Sequence, residues 1–166
     1  AELEHVATLI PEAWLAPAAI GSPARCVEVV QRQFDLGAFE LQRGATLPKA
    51  FLAYKTYGTL AADKGNVILY PTSYAAHHTD IDWLIGPDRV LDPDRYFIVI
   101  ANQFGNGLSS SPSNLPEPYG LGRSPIFTHW DNVHAQKRLL EEKFGITRLA
   151  LVYGWSMGGQ QALHWG

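Results

Sequence analysis

The side chains best placed for chemistry lie in Gly154-Trp155-Ser156-Met157-Gly158-Gly159. A short apolar run, Leu149-Ala150-Leu151-Val152-Tyr153, leads into them, and a helix-like stretch, Gln160 to Trp165, follows. A serine between glycines, with a strand before it and a helix after it, fits a nucleophile turn. Such a turn strains the serine backbone and folds the chain closely on itself, so small neighbours are needed. The serine Oγ then stands clear of the sheet. The N–H of Met157 sits at the helix N-terminus, where unpaired donors and the helix dipole favour a developing oxyanion. The chemistry predicted is attack on an acyl carbonyl. The competing interpretation is a tight turn with a surface serine.

Such a serine needs a sheet behind it. Val67–Tyr70, Tyr96–Ala101 and Leu149–Tyr153 are short, continuous apolar runs. Runs of that kind are strands buried on both faces, as in a parallel sheet. Between the last two runs the spacing predicts a helix. Thr128 caps it with Asp131 as a capping-box partner, Trp130, Val133, Leu140 and Phe144 share one side, and Gly145 ends it. Strand, helix, strand is a βαβ unit with a right-handed crossover. Upstream, Phe34, Leu36, Phe39 and Leu41 alternate imperfectly around Gly37, and Phe51–Tyr57 forms a second run after a turn at 43–48. That pair predicts an antiparallel hairpin. The expected fold is α/β, a mostly parallel sheet with a leading antiparallel hairpin, over residues 32–166. The sheet is expected to be incomplete, the N-terminal part of a larger fold, with the strand before Ser156 as an exposed apolar edge. Residues 1–31, rich in Pro and Ala, are expected to form an N-terminal extension. It would pack on the core or on a neighbouring subunit of a homo-oligomer.

In open α/β sheets, ligands bind at the carboxyl ends of the strands. Two loops besides the serine turn leave those ends, 71–80 and 102–114. In the first, the backbone N–H of Ser73 or Tyr74 is the candidate second oxyanion donor, with Ser73 preferred. His77, His78, Asp80 and Asp82 invite a metal assignment, but adjacent histidines diverge and no second cluster completes a ligand set. Asp80 is instead expected to cap a short helix, and no metal is expected. The second loop carries Gly105-Asn106-Gly107, close to a dinucleotide fingerprint. The third glycine is missing, and Pro112, Pro116 and Pro118 block the helix such a site requires. It is expected to wall the cleft. Tyr74, Asn102 and Trp155 are the candidate substrate contacts.

Bulk properties exclude several function classes. The chain of 166 residues is long enough for one well-buried core, and 46% hydrophobic with 17% charged content is that of a globular protein. Net charge is −3, and no basic run exceeds two residues, which argues against nucleic acid. The single cysteine, Cys26, excludes an internal disulfide. No apolar run approaches the roughly 20 residues of a membrane span. The start does not have the pattern of a signal peptide. A cytoplasmic protein is expected.

The array Tyr54-Lys-Thr-Tyr-Gly58, Trp83-Leu-Ile-Gly86-Pro87, Leu91-Asp-Pro-Asp-Arg-Tyr-Phe-Ile98, Asp131-Asn-Val-His-Ala-Gln136 and Gly154-Trp-Ser156-Met-Gly-Gly-Gln-Gln-Ala-Leu-His-Trp165 resembles the homoserine O-acetyltransferase family of the α/β-hydrolase fold. The resemblance runs from about Phe39 to Gly166. It implies an acyl-serine on Ser156 and oxyanion donors at Met157 and near Ser73. It implies acetyl-CoA as a co-substrate rather than a bound cofactor, and a small hydroxyl acceptor. Some relatives pass the acyl group to water instead. Pro71-Thr-Ser-Tyr74 and Phe104-Gly-Asn-Gly-Leu-Ser-Ser-Ser-Pro112 depart from the acceptor loops of the homoserine enzymes. A triad needs Asp and His after the serine. Only His164 follows Ser156, and it lies eight residues along a helix, about 12 Å away. The base is therefore expected from a C-terminal remainder of the same protein or from a second chain. O-acetyl transfer is the first expectation, carboxylic ester hydrolysis the second, and a non-catalytic interaction fragment the third.

Overall fold

The computed structural model describes residues 32–166. The extension expected over 1–31 and Cys26 lie outside the described residues. Five strands form one sheet: β1 (Gln33–Glu40), β2 (Thr46–Tyr57), β3 (Val67–Pro71), β4 (Phe97–Ala101) and β5 (Leu151–Val152), in the order β1-β2-β4-β3-β5. β1 and β2 pair antiparallel, as do β2 and β4, whereas β3 is parallel to both β4 and β5. The hairpin and the parallel core therefore stand as the sequence predicts. Gly37, at φ +60°, marks a register shift in β1, which accounts for the broken alternation there.

The period of two along β3 and β4 divides the core between the two sheet faces. Val67, Leu69, Phe97 and Val99 pack with Ala135, Leu139 and Leu140 on one side. Ile68, Tyr70, Ile98 and Ile100 pack with Ile81 and Leu91 on the other. Both faces are covered, so both sets of positions must be apolar.

Among the described residues, three α-helices follow strands of the sheet: α1 (His78–Ile81), α2 (His129–Arg138) and α3 (Met157–His164). α2 starts with the expected box: the Thr128 N–H donates to Asp131 Oδ2 at 2.7 Å, and the Asp131 N–H donates to Thr128 Oγ1. Asp131 Oδ1 also accepts from the N–H of Gln42, tying the helix start to the hairpin. The helix continues as a π turn over Leu139–Lys143, and Gly145 closes it at φ +62°.

Three expectations are corrected. Trp130 is exposed and stacks on His134, with centroids 3.6 Å apart, because the inward face of α2 is taken by Asp131, Asn132, Ala135 and Gln136. Asp80 lies inside α1 and accepts from the N–H of His77, the residue that takes the cap position. β5 covers only Leu151–Val152 of its apolar run, while its unpaired side, where Leu151 is 42% exposed, is the open edge the sequence predicts.

Beyond the end of β4, side chains continue the bonding of β2. Ser109 Oγ accepts from the N–H of Ala53 and donates to the carbonyl of Asn102, and Ser110 Oγ accepts from the N–H of Phe51. Among the described residues no helix is long and apolar enough to cross a membrane.

Candidate active site

Ser156 is the N-cap of α3, with φ 52° and ψ −128°. A non-glycine residue seldom adopts that conformation, and it persists only where the surroundings impose it. The glycines around it show how. A Cβ on Gly154 would overlap the carbonyl of Gly158, and one on Gly158 would lie 2.6 Å from the carbonyl oxygen of Pro71. The turn therefore closes only with hydrogen at both positions, and closure lays the start of α3 against the end of β3. Ser156 is exposed, and its Oγ makes no hydrogen bond to a histidine or carboxylate among the described residues.

The loop after β3 meets this turn. Ser73 is 5% exposed, and its carbonyl accepts from Gln103 Nε2 at 3.0 Å and from the N–H of Ala76. The N–H groups of Ser73 and Met157 bond to no other described residue. Two backbone donors without a described partner thus lie on the two segments that meet where Gly158 packs against Pro71 and Thr72.

A cleft of about 430 Å³ opens beside them, lined by Tyr74, Gln103, Phe104, Phe127, His129 and Met157 among others. The remaining lining residues are Ala75, Gly105, Thr128 and Asn132, so among the described residues no lysine or arginine borders it. Tyr74 and Met157 line the cleft, Ser73 and Ser156 adjoin them in sequence without lining it, and the 102–114 loop contributes Phe104 and Gly105.

Two candidate contacts are placed elsewhere. Asn102 is fully buried. Its Nδ2 donates to the carbonyl of Ala53 and to His78 Nδ1, and its Oδ1 accepts from the N–H of His78 and from Asn106 Nδ2. All four bonding positions of the amide are spent inside the protein, so Asn102 pins the two loops together rather than facing substrate. Trp155 is 53% exposed and lies outside the cleft lining. Its neighbour Tyr70 is buried, with a hydroxyl that has no hydrogen-bond partner among the described residues. Burial pushes the Tyr70 hydroxyl up to about 12; the charge of Tyr153 adds to the rise and the nearby Trp155 tempers it.

The histidine and aspartate residues of the first loop diverge. His77 Nε2 contacts the carbonyl of Asn106 at 2.8 Å, and His78 faces Asn102. Asp82 accepts from Tyr57 OH at 2.9 Å and pairs with Lys55 at 3.4 Å. Burial and then the Lys55 charge hold His78 below the ordinary imidazole value, with the Asn102 bond and Asp82 opposing in part. Burial, with the bond to Asp82, raises Tyr57 far above the usual phenol. Among the described residues no three His, Cys, Asp or Glu side chains converge to hold a metal.

The sequence did not reveal three glutamines beneath the site. Gln103, Gln136 and Gln161 are 4%, 0% and 0% exposed and join α2, α3 and both loops. Gln136 Nε2 donates to Gln161 Oε1 at 2.6 Å, and Gln161 Nε2 donates to Gln103 Oε1 at 3.1 Å. Nor did it single out Phe127, His129 and Asn132 as cleft residues. Polar residues on an inward helix face carry no periodic apolar signal, which is why they pass unnoticed.

The sequence profile of the alpha/beta hydrolase fold family matches residues 76–166. A probable esterase of Corynebacterium glutamicum is 46% identical over 133 residues, which are 79% of this chain and 38% of that protein. A homoserine O-acetyltransferase of Methanococcoides burtonii is 40% identical over 147 residues, 78% of this chain and 30% of that protein. The solved acetyl esterase MekB superposes with a TM-score of 0.79 at 42% identity, covering 80% of this chain and 39% of its own. The chain thus spans well under half the length of the relatives it matches.

Proposed function

The chain belongs to the alpha/beta hydrolase fold family, and on that basis we propose that it bears the nucleophile of a carboxylic ester hydrolase for small, uncharged acyl esters. The observation that carries this reading is Ser156, held at φ 52° on the start of α3, directly before Met157, whose N–H has no partner among the described residues.

Ser156 Oγ attacks the acyl carbon while its proton passes to a histidine base. The N–H groups of Met157 and Ser73 hold the oxyanion. The tetrahedral species expels the alcohol, which takes the proton back, and leaves acyl-Ser156. Water then attacks the acyl group, and the carboxylic acid departs as Ser156 regains its proton. The histidine, and the carboxylate that orients it, come in this proposal from outside the described residues. The relatives' greater length supports that source.

Two observations favour water over another acceptor. The esterase relative is the more similar of the two compared, at 46% against 40%. Among the described residues, the cleft lining also holds no lysine or arginine for the phosphates of coenzyme A. Acyl transfer from acetyl-CoA to a small hydroxyl acceptor remains the second reading, supported by the homoserine O-acetyltransferase relative. The proposal includes a cytoplasmic setting, which a chain with one cysteine, Cys26, suits.

The test supplies the intact protein with p-nitrophenyl acetate or ethyl acetate, and separately with acetyl-CoA with and without homoserine or serine. Ester turnover without acceptor-dependent release of coenzyme A supports the hydrolase. Release of coenzyme A that requires an acceptor replaces it with the transferase.

A further inference from the structure

We propose that Gln161 is a positioning residue that lets one helix set both oxyanion donors, through a hydrogen-bond relay whose direction Trp165 dictates. The proposal rests on the serine acyl chemistry argued above and concerns what holds its second donor in place.

The relay starts at a group that can only donate. The indole N–H of Trp165 bonds to Gln136 Oε1 at 3.0 Å. An indole has no acceptor to offer, so the oxygen of the Gln136 amide must face it. The nitrogen of Gln136 then faces Gln161 and donates to Oε1 at 2.6 Å. That leaves Gln161 Nε2 facing the other way, where it donates to the carbonyl of Thr72 at 3.2 Å and to Gln103 Oε1 at 3.1 Å. Gln103 Nε2 in turn donates to the carbonyl of Ser73 at 3.0 Å. Each amide orientation follows from the one before it.

The relay ends on the two carbonyls that flank the second oxyanion donor. The Thr72–Ser73 peptide is trans, so its C=O and N–H point in opposite directions. With the Thr72 carbonyl held by the buried amide of Gln161, the Ser73 N–H is turned away from that amide and left without a partner. The first donor, the N–H of Met157, belongs to the helix that carries Gln161. Gly158 packs against Pro71 and Thr72, so the same helix start also fixes the distance to the loop. A buried amide beneath the loop is thereby more than a packing group. It holds a donor in the orientation that transition-state charge requires.

The test uses the intact protein and two variants, Gln161→Met, which keeps an unbranched chain but loses the amide, and Trp165→Phe, which removes only the donor that sets the relay. Kinetics on p-nitrophenyl acetate are measured alongside inhibition by a trifluoromethyl ketone, which mimics the tetrahedral oxyanion. For Gln161→Met, kcat is expected to fall about ten- to a hundredfold with KM within about twofold. The inhibition constant should rise by the factor lost in kcat/KM. Trp165→Phe should move both in the same direction by less, and it carries the test if Gln161→Met does not fold. A folded Gln161→Met with unchanged kcat and inhibition, or with lower thermal stability alone, overturns the proposal. Should the wild type show no ester turnover, the functional reading falls. A crystal structure of Gln161→Met then still decides the positioning role: a rotated Thr72–Ser73 peptide upholds it, and an unchanged one overturns it.

Discussion

The chemistry of the site depends on what individual residues cannot be. Ser156 holds a strained backbone because Gly154 and Gly158 let two backbone segments touch. The two glycines after Met157 make unequal demands. A methyl on Gly158 would meet the backbone carbonyl of Pro71 at 2.6 Å, whereas one on Gly159 would meet the Gly154 carbonyl at 3.2 Å. Gly158→Ala is therefore expected to cost about 2–3 kcal/mol and to pull the serine turn off β3. For Gly159→Ala, the gain in helix propensity of roughly 1 kcal/mol offsets a mild contact, leaving stability nearly unchanged. Urea melts of the two variants test this contrast; equal effects would mean that α3 does not rest on β3 as described. The G-x-S-x-G pattern was legible because it records these contacts directly in residue type.

Within single elements, local signals are legible in the sequence and tertiary ones are not. The box at Thr128 and Asp131 is written in four consecutive residues and is present in the structure. Apolar spacing points Trp130 toward the core, but the inward face of α2 carries Asp131, Asn132 and Gln136, whose partners are far away in sequence. Asn132 Oδ1, for example, accepts from the N–H of Phe104 at 2.7 Å. The capping residues differ for the same reason. Thr128→Ala is expected to cost about 1 kcal/mol, the usual loss for an N-cap. Asp131→Ala should cost clearly more, about 2–3 kcal/mol, since it removes both the acceptor for the Thr128 N–H and the tie to the N–H of Gln42. Thermal denaturation of both gives the ranking, and a reversed order would show that the tie to the hairpin carries no energy.

Across the whole molecule, the sheet order brings three loops to one end, and their buried polar groups make stability depend on pH. His78 is held below the ordinary imidazole value of 6.5, first by burial and then by Lys55. As pH falls through 6.5, the unfolded chain takes up a proton that the folded protein refuses. Stability therefore declines below that pH, down to the lower folded value. Melting temperature should drop as pH falls below 6.5, and His78→Gln should flatten that slope. An unaltered slope would place the titration elsewhere. The pairing of strands and their burial on both faces were legible because apolar runs without alternation have few other uses. The closing of the loops on each other was not, since Asn102, Ser109 and the three glutamines look like ordinary turn and surface residues until their partners are known.

The claim on which the rest depends is that Ser156 carries the acyl group between an ester and water. Intact-mass measurement on the protein, quenched during turnover of p-nitrophenyl acetate, tests it most directly. The account predicts a transient species one acetyl unit heavier, mapped by fragmentation to Ser156. The species should be absent from Ser156→Ala, together with at least about a thousandfold of the turnover. Undiminished hydrolysis by Ser156→Ala, or an acetyl group trapped on another residue, would contradict it.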